Sequence, residues 1–539
     1  MEEFFKKYSI FFLFLILILA VFFRVYQITA IPPGLYPDEA MNGNNALESI
    51  KTGEYKIFYP ENNGREGLFI NIQAQVIKIF NNEPWALRLA SAIFGILTVL
   101  GTYLLTKQLF KKESIALFAS FFLAVSFWHI NFSRIGFRAI MAPFFLTWSM
   151  FLLIKIVNQV KKNFQFPIFK FQILILSLFS GLIFGLGFHS YIAYRITPII
   201  LLPLFFVLFK NRQFKAILFF IIGAAIAIYP LFNYFYHQPQ DFLGRSSQVS
   251  IFSSESPVLE LGKNILLTIG MFFVKGDSNW RHNFAGAPQL WWPMAILFLI
   301  GLIIGIWKLF ENWKLKIENF FEKISYPETT LFLWLILGLL PVIISSEGLP
   351  HALRAIIVIP VTMIFAALGL NWIIGKLKPK LGALLLMAIL IVIPINAYTQ
   401  YFLNWTKNSN TASAFSKNYA QLGNYLRYSP KDIKKYVIVN ADGIDVRGIP
   451  MPSQTVMFLT DTFLPEKQKE KNIYYLTREK IDENLEKIKK ESMNEEVKIF
   501  MLESDPMLQK KIEDKLIYVY TYEDSGVMIQ HKFPPPLLL

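Results

Sequence analysis

The sequence predicts a polytopic α-helical membrane protein that ends in a small α/β domain. Three observations carry this expectation. Hydrophobic residues make up 54% of the 539-residue chain, charged residues only 17%, and the mean hydropathy is +0.42. Apolar runs of membrane-spanning length follow one another through the first 400 positions, more than a soluble domain could bury. After Phe402 the composition turns polar, and short strand-like runs surround one charged helical stretch.

Lys6 and Lys7 precede an apolar run from Ser9 to Phe23 that ends in bulky residues and Arg24. It lacks a small-residue cleavage pattern, so it is expected to be a retained signal anchor. Further spans are expected at 85–106, 114–132, 139–157, 171–190, 195–209, 216–234, 290–310, 329–345, 355–374 and 381–400, about eleven in all. The short run at 195–209 carries Pro198 and Pro203.

The net charge of +15 first has to be read as topology rather than as affinity for nucleic acid. With the N-terminus inside, the inner segments hold nineteen basic residues, of which only Arg212 is not lysine. They include Lys107, Lys155, Lys162, Lys210, Lys314, Lys316, Lys323 and Lys376. The tight outer connections hold Arg134, Arg138, Arg195 and Arg354 and no lysine. An odd number of spans then puts the C-terminus outside. The change of residue type matters because a guanidinium offers a planar fork to phosphate or carboxylate oxygens, while lysine suffices for a solvated charge. Interfacial snorkelling is the plainer alternative, although it does not explain the change of type. There is no cysteine, which excludes disulfides, thiolate metal sites and a cysteine nucleophile.

Two outer loops are long. The first, 30–84, opens with Pro-Gly-Leu-Tyr-Pro-Asp-Glu-Ala, so Asp38 and Glu39 lie side by side at a membrane surface, where ionisable groups are costly. A solvated turn is the alternative. Pro60 to Gly67 then leads into Leu68–Phe80, whose helical spacing predicts a juxtamembrane helix. The second loop, 235–289, holds Asp241, Arg245, an expected interfacial helix at 258–273, and Trp280-Arg281-His282.

The expected domains are a membrane domain at 1–400 and an extracytoplasmic α/β domain at 401–539. Strands are expected at 436–440, 456–459, 473–475, 497–502 and 516–522, with a helix at 478–491. No glycine-rich phosphate fingerprint opens a helix there.

An acidic pair, several arginines, His189 with Tyr191 and Tyr194, and His351 three residues before Arg354 suit one reaction type. A carboxylate can take the proton of an acceptor hydroxyl, and arginines can neutralise a departing phosphate. His189 and His351 are alternatively helix-end histidines bonded to neighbours, and the tyrosines interface aromatics. Asp38, Glu39 and a histidine are the alternative as ligands of a divalent metal, which is not favoured because no His-x-x-x-His pair occurs.

Pro37-Asp38-Glu39, Asn63-Gly64-Arg65-Glu66, the run Phe132 to Arg138, His189 to Arg195, and Pro350-His351-Ala352-Leu353-Arg354 together resemble the GT-C membrane glycosyltransferases. The nearest branch holds the protein O-mannosyltransferases and the lipid A aminoarabinose transferases. The resemblance spans roughly positions 1–400 and implies an inverting transferase that takes a single sugar from a polyprenyl phosphate, with no nucleotide-sugar site and no cofactor beyond that lipid-linked donor. It implies Asp38 as the catalytic acid-base residue with Glu39 beside it. Arg134, Arg138, Arg195, Arg354 and His351 are candidates for the donor phosphate. Arg65, Glu66, His189, Tyr191 and Tyr194 are candidates for substrate contact. Arg-Glu-Gly-Leu at 65–68 departs from the lysine-proline pattern of the aminoarabinose branch, and Trp291-Trp292 is followed by Pro293 rather than the aspartate of oligosaccharyltransferases.

The expected partners are the lipid-linked donor, membrane lipid and a protein, lipid or glycan acceptor, at the plasma membrane. A transporter or flippase of lipid-linked sugars is the alternative, but such proteins place charges near the midplane and show repeated halves. A receptor anchored by its membrane part is the third reading, and eleven spans exceed what an anchor needs.

Overall fold

The computed structural model describes residues 2–161, 167–242, 251, 256–313, 326–492, 495–516, 519–524 and 527–532. Lys162, Arg245, Lys314, Lys316 and Lys323 lie outside the described residues. The chain forms two compact units, Met1–Ile28 with Arg88–Trp405, and Thr29–Leu87 with Thr406–Leu539. The expected division at 400/401 left the first long loop with the membrane helices. Instead this loop clusters with the C-terminal stretch.

The first unit makes this a multi-pass membrane protein. Helical segments lie in each of the eleven expected runs, with 195–209 divided into a 3-10 turn, Ile192–Ile196, and helices Thr197–Ile200 and Leu202–Lys210. Eight helices among the described residues are long and apolar enough to cross a membrane, while Ser9–Val25, Glu113–Val125 and Pro327–Ile343 are shorter. Close helix pairs are built on small residues, since lipid gives apolar side chains no reason to prefer each other. A Cβ at Gly181 would collide with the carbonyl of Phe220, and one at Gly223 with that of Leu178, so helices Pro167–Leu186 and Phe214–His237 touch backbone to backbone. Gly301 and Gly369 do the same for helices Trp292–Trp313 and Ile359–Lys376.

The expected span at 114–132 is broken. Helix Glu113–Val125 stops, Ser126 is extended, and Phe127–Phe132 starts anew with the Ser126 side chain as its cap. The exposed carbonyls at that break are met by Arg24, which is fully buried. Its guanidinium donates to Leu123 O at 3.2 Å, Ala124 O at 3.0 Å and Ala20 O at 3.1 Å. A cation at a helix C-terminus also complements the helix dipole. The same group reaches His129 Nδ1 at 2.6 Å, and because a guanidinium only donates, Nδ1 is the acceptor.

In the second unit a five-stranded sheet runs in the order Ile473–Thr477, Lys434–Val439, Val497–Met501, Val527–Lys532, Val519–Asp524. The first three strands are parallel and the last two pairings antiparallel. Lys434–Val439 is buried on both faces. Val437 and Val439 pack with Phe500 and Leu502, while Tyr436 and Ile438 pack with Leu485, Ile488 and Ile512. The expected helix at 478–491 is present as Ile481–Glu491 after a short 3-10 turn.

One expected strand is wrong. Val456–Leu459 lies inside helix Gln454–Thr460, every residue of which is buried. A short, wholly apolar run has no periodicity to separate a buried helix from a strand. The run at 516–522 is displaced rather than wrong, its strand spanning Val519–Asp524.

Candidate active site

In the second unit the acidic pair is not in a turn but opens the helix Pro37–Thr52. Pro37 suits the first helical position because its missing N–H would have no partner there, and two carboxylates in the first turn favour the positive end of the helix. Neighbours on a helix point about 100° apart. Asp38 is half-buried and accepts a 2.8 Å hydrogen bond at Oδ1 from the Asn62 amide, whereas Glu39 is fully buried.

The next turns of this helix carry Asn42, Asn44 and Asn45, all buried, so each needs a partner. Arg65, itself 2% exposed, donates from Nη1 to Asn42 at 2.8 Å and from Nη2 to Asn45 at 2.6 Å. Asn44 donates to Gln454 Oε1 at 2.8 Å. Arg65 and Glu66 form a two-residue strand against Phe58–Tyr59. Tyr59 shares a 2.7 Å hydrogen bond with Ser49, and burial pushes its hydroxyl above the ordinary range, against Ser49, Lys56 and Arg65. Arg65, a candidate for substrate contact in the sequence, here locks the loop onto the helix that bears Asp38.

In the first unit Arg134 is fully buried, donates to Phe23 O at 3.1 Å and lies against the rings of Tyr401 and Phe402 at 5.5 and 5.2 Å. Arg138, Arg195 and Arg354 are half-buried. Arg195 stacks on Phe242 at 4.1 Å and donates to its carbonyl at 2.9 Å. Arg354 donates to Glu347 O at 2.8 Å and to Ser345 Oγ. His189 is 2.8 Å from Ala227 O through Nε2, the contact of a satisfied core histidine. Tyr194 is fully buried against Phe184 and Phe188, its ring filling the space beside Gly187. Tyr191 is half-buried, and its carbonyl starts the 3-10 turn that holds Arg195.

A further cluster lies in the loop before Trp292 and includes a residue that the sequence did not single out. Asp277 Oδ2 is 3.0 Å from His282 Nδ1, 2.8 Å from the Ala352 backbone N–H and 3.9 Å from His351 Nδ1. The two imidazoles face each other with centroids 4.9 Å apart. Burial alone would raise the Asp277 carboxyl. The hydrogen bond and charge of His282, the charge of His351 and the Asn279 N–H outweigh it and hold the group below the usual carboxylate range. Asp277 and His282 share one loop and could have been paired from their spacing, but His351 joins them only through the fold.

The helices have the fold of the GT-C membrane glycosyltransferases. The family model of dolichyl-phosphate-mannose-protein mannosyltransferases matches residues 68–236. ArnT from Cupriavidus metallidurans, in a crystal structure bound to undecaprenyl phosphate, is similar at a TM-score of 0.58 and 11% identity, covering 98% of this chain and 99% of ArnT. Its apo state gives 0.55 and 11%, covering 98% of each chain. The Archaeoglobus fulgidus oligosaccharyltransferase tethered to an acceptor peptide gives 0.50 and 15%, covering 86% of this chain and 65% of that one. No curated protein matches the chain.

Proposed function

We propose that this protein is an inverting glycosyltransferase that moves one sugar from a polyprenyl phosphate to an acceptor on the extracytoplasmic face of the plasma membrane. The observation that carries the reading is the end-to-end likeness to ArnT, whose structure holds undecaprenyl phosphate. The N-terminus is cytoplasmic and the C-terminal region exported in this reading, as the lysine distribution favours.

Asp38 acts as the general base. Its carboxylate takes the acceptor hydroxyl proton while the acceptor oxygen bonds to the anomeric carbon. The bond from that carbon to the phosphate oxygen breaks, and the lipid phosphate leaves with the electron pair. Arg138, Arg195 and Arg354 are the candidates to neutralise that phosphate, because each keeps part of its surface accessible. Arg134 supports them from a buried position, and His351 assists beside Arg354. Glu39 shares the helix that carries Asp38, and the strand of Arg65 and Glu66 packs on it, with Arg65 fixing the helix through Asn42 and Asn45. Tyr191 contacts substrate, while His189 and Tyr194 hold the turn on which it sits. No cofactor is required by this chemistry.

The test is transfer from a labelled polyprenyl-phosphate sugar by the full chain in lipid vesicles. Asp38→Asn is expected to abolish transfer while the protein still inserts and folds; full activity in that variant would remove the assignment.

A further inference from the structure

We infer that Asp277, His282 and His351 form a binding site for one divalent transition-metal ion. The inference rests on their geometry alone and stands whether or not the sugar-transfer reading holds. One ligand atom from each residue lies within 4.8 Å of the others. In a tetrahedral site with bonds of about 2.0–2.1 Å, ligand atoms sit roughly 3.3 Å apart. Asp277 Oδ2 stands 3.0 Å from His282 Nδ1 and 3.9 Å from His351 Nδ1, distances that bracket that spacing.

The surroundings are those of a prepared site. Asp277 is held at its other two oxygens: Oδ1 accepts from Asn279 N at 2.8 Å, and its carbonyl from Gly286 N at 2.8 Å and Asn283 Nδ2 at 3.2 Å. Partners of this kind orient a ligand and are part of most metal sites. Side chains of Asp277 and His282 are 5% and 7% exposed, but that of His351 is 17% exposed, which leaves an approach for water or an anion to complete the coordination. Two imidazoles and one carboxylate suit zinc and its neighbours, not calcium or magnesium, which take oxygen ligands.

The full chain, purified in detergent through a tag without histidine and stripped with a chelator, is titrated with Co²⁺. We expect about one ion per chain with visible ligand-field bands, displaced by Zn²⁺. Asp277→Asn, His282→Ala and His351→Gln should each weaken binding by more than about 100-fold, beyond the 10–100-fold typical of outer partners. His237→Ala, at an exposed helix end, should leave it unchanged. His351→Gln alters the most accessible ligand, and the wild-type spectrum needs no variant at all. Absence of the bands in the wild type, or their survival in all three ligand variants, would overturn the site.

Discussion

Asn62 donates its side-chain amide to Asp38 at 2.8 Å, across the first loop from Pro37 to Gly67. Asn62, Asn63 and Gly64 all have positive φ, at 53°, 61° and 79°, so the turn that delivers this amide is left-handed throughout. Asparagine and glycine tolerate that backbone better than other residues.

Asn62→Gly therefore separates the two roles of this residue, because the backbone is kept and only the amide is lost. It is expected to slow transfer about 10-fold, the equivalent of about 1.4 kcal/mol, without lowering the unfolding temperature. Asn62→Val should lose both, since a β-branched side chain resists positive φ. Equal rates in wild type and Asn62→Gly would show that this hydrogen bond does not position Asp38.

Arg447 closes the same loop from the C-terminal stretch. Its guanidinium donates to both oxygens of Glu48, at 3.0 and 2.9 Å, and to Glu61 Oε1 at 2.7 and 3.1 Å. Arg447 is itself at φ 56° and its side chain is 38% exposed, so solvent screens the pairs. Arg447→Lys keeps the charge and loses the fork, and is expected to cost roughly 1 kcal/mol in denaturant unfolding of the second unit. The lysine should also make cleavage between Glu54 and Gly64 by an added protease faster.

How much was legible in the sequence follows from how far apart the interacting residues stand. Each apolar run of the membrane unit carries its helical character within itself, and helical segments lie in every one of them. The break at Ser126 was not legible, because the Arg24 that satisfies its open carbonyls is about 100 positions away. Nor was the partnership of the first loop with the C-terminal stretch, since Asn44 and Gln454 are 410 positions apart. In the candidate site, Asp38 and Glu39 stand out as charges at a membrane surface, and Arg65 through the family resemblance. Asn42 and Asn45, which make Arg65 a brace, look like ordinary loop residues until the helix is formed. Asp277 is illegible for a similar reason, as its partner His351 lies on a distant segment.

Phe458 tests the correction at 454–460. It is fully buried with Leu35, Ile70 and Leu459, and its ring occupies the space that a Cβ on Gly43 would need. Phe458→Ala is expected to cost about 3–5 kcal/mol through lost burial and the cavity left behind. Gly43→Val should also destabilise, by overpacking the same contact. Thermal unfolding of the full chain in detergent checks both. A loss below about 1 kcal/mol for Phe458→Ala would mean that this helix is not packed as described.

Lys435 gives the second unit a pH dependence with a definite sign. It is 1% exposed, bonded to Pro430 O and to Ile433 O at 2.7 Å, and stands opposite Lys498 in the neighbouring strand. Burial lowers its ammonium from 10.5 to about 8; Asp432 opposes that fall, while Lys498 adds to it. Below about pH 8 the folded and unfolded chains both hold the proton, and the folded state bears the whole cost of burying it. Between about 8 and 10.5 the folded chain has released the proton while the unfolded one still binds it, so stability rises with pH across that window. Lys435→Met lacks this titration. The stability of the wild type relative to Lys435→Met should accordingly increase from pH 7.5 to pH 9.5, read by denaturant unfolding of both proteins in the same detergent. A constant difference across that range would show that the Lys435 ammonium stays as easily charged in the sheet as in the unfolded chain.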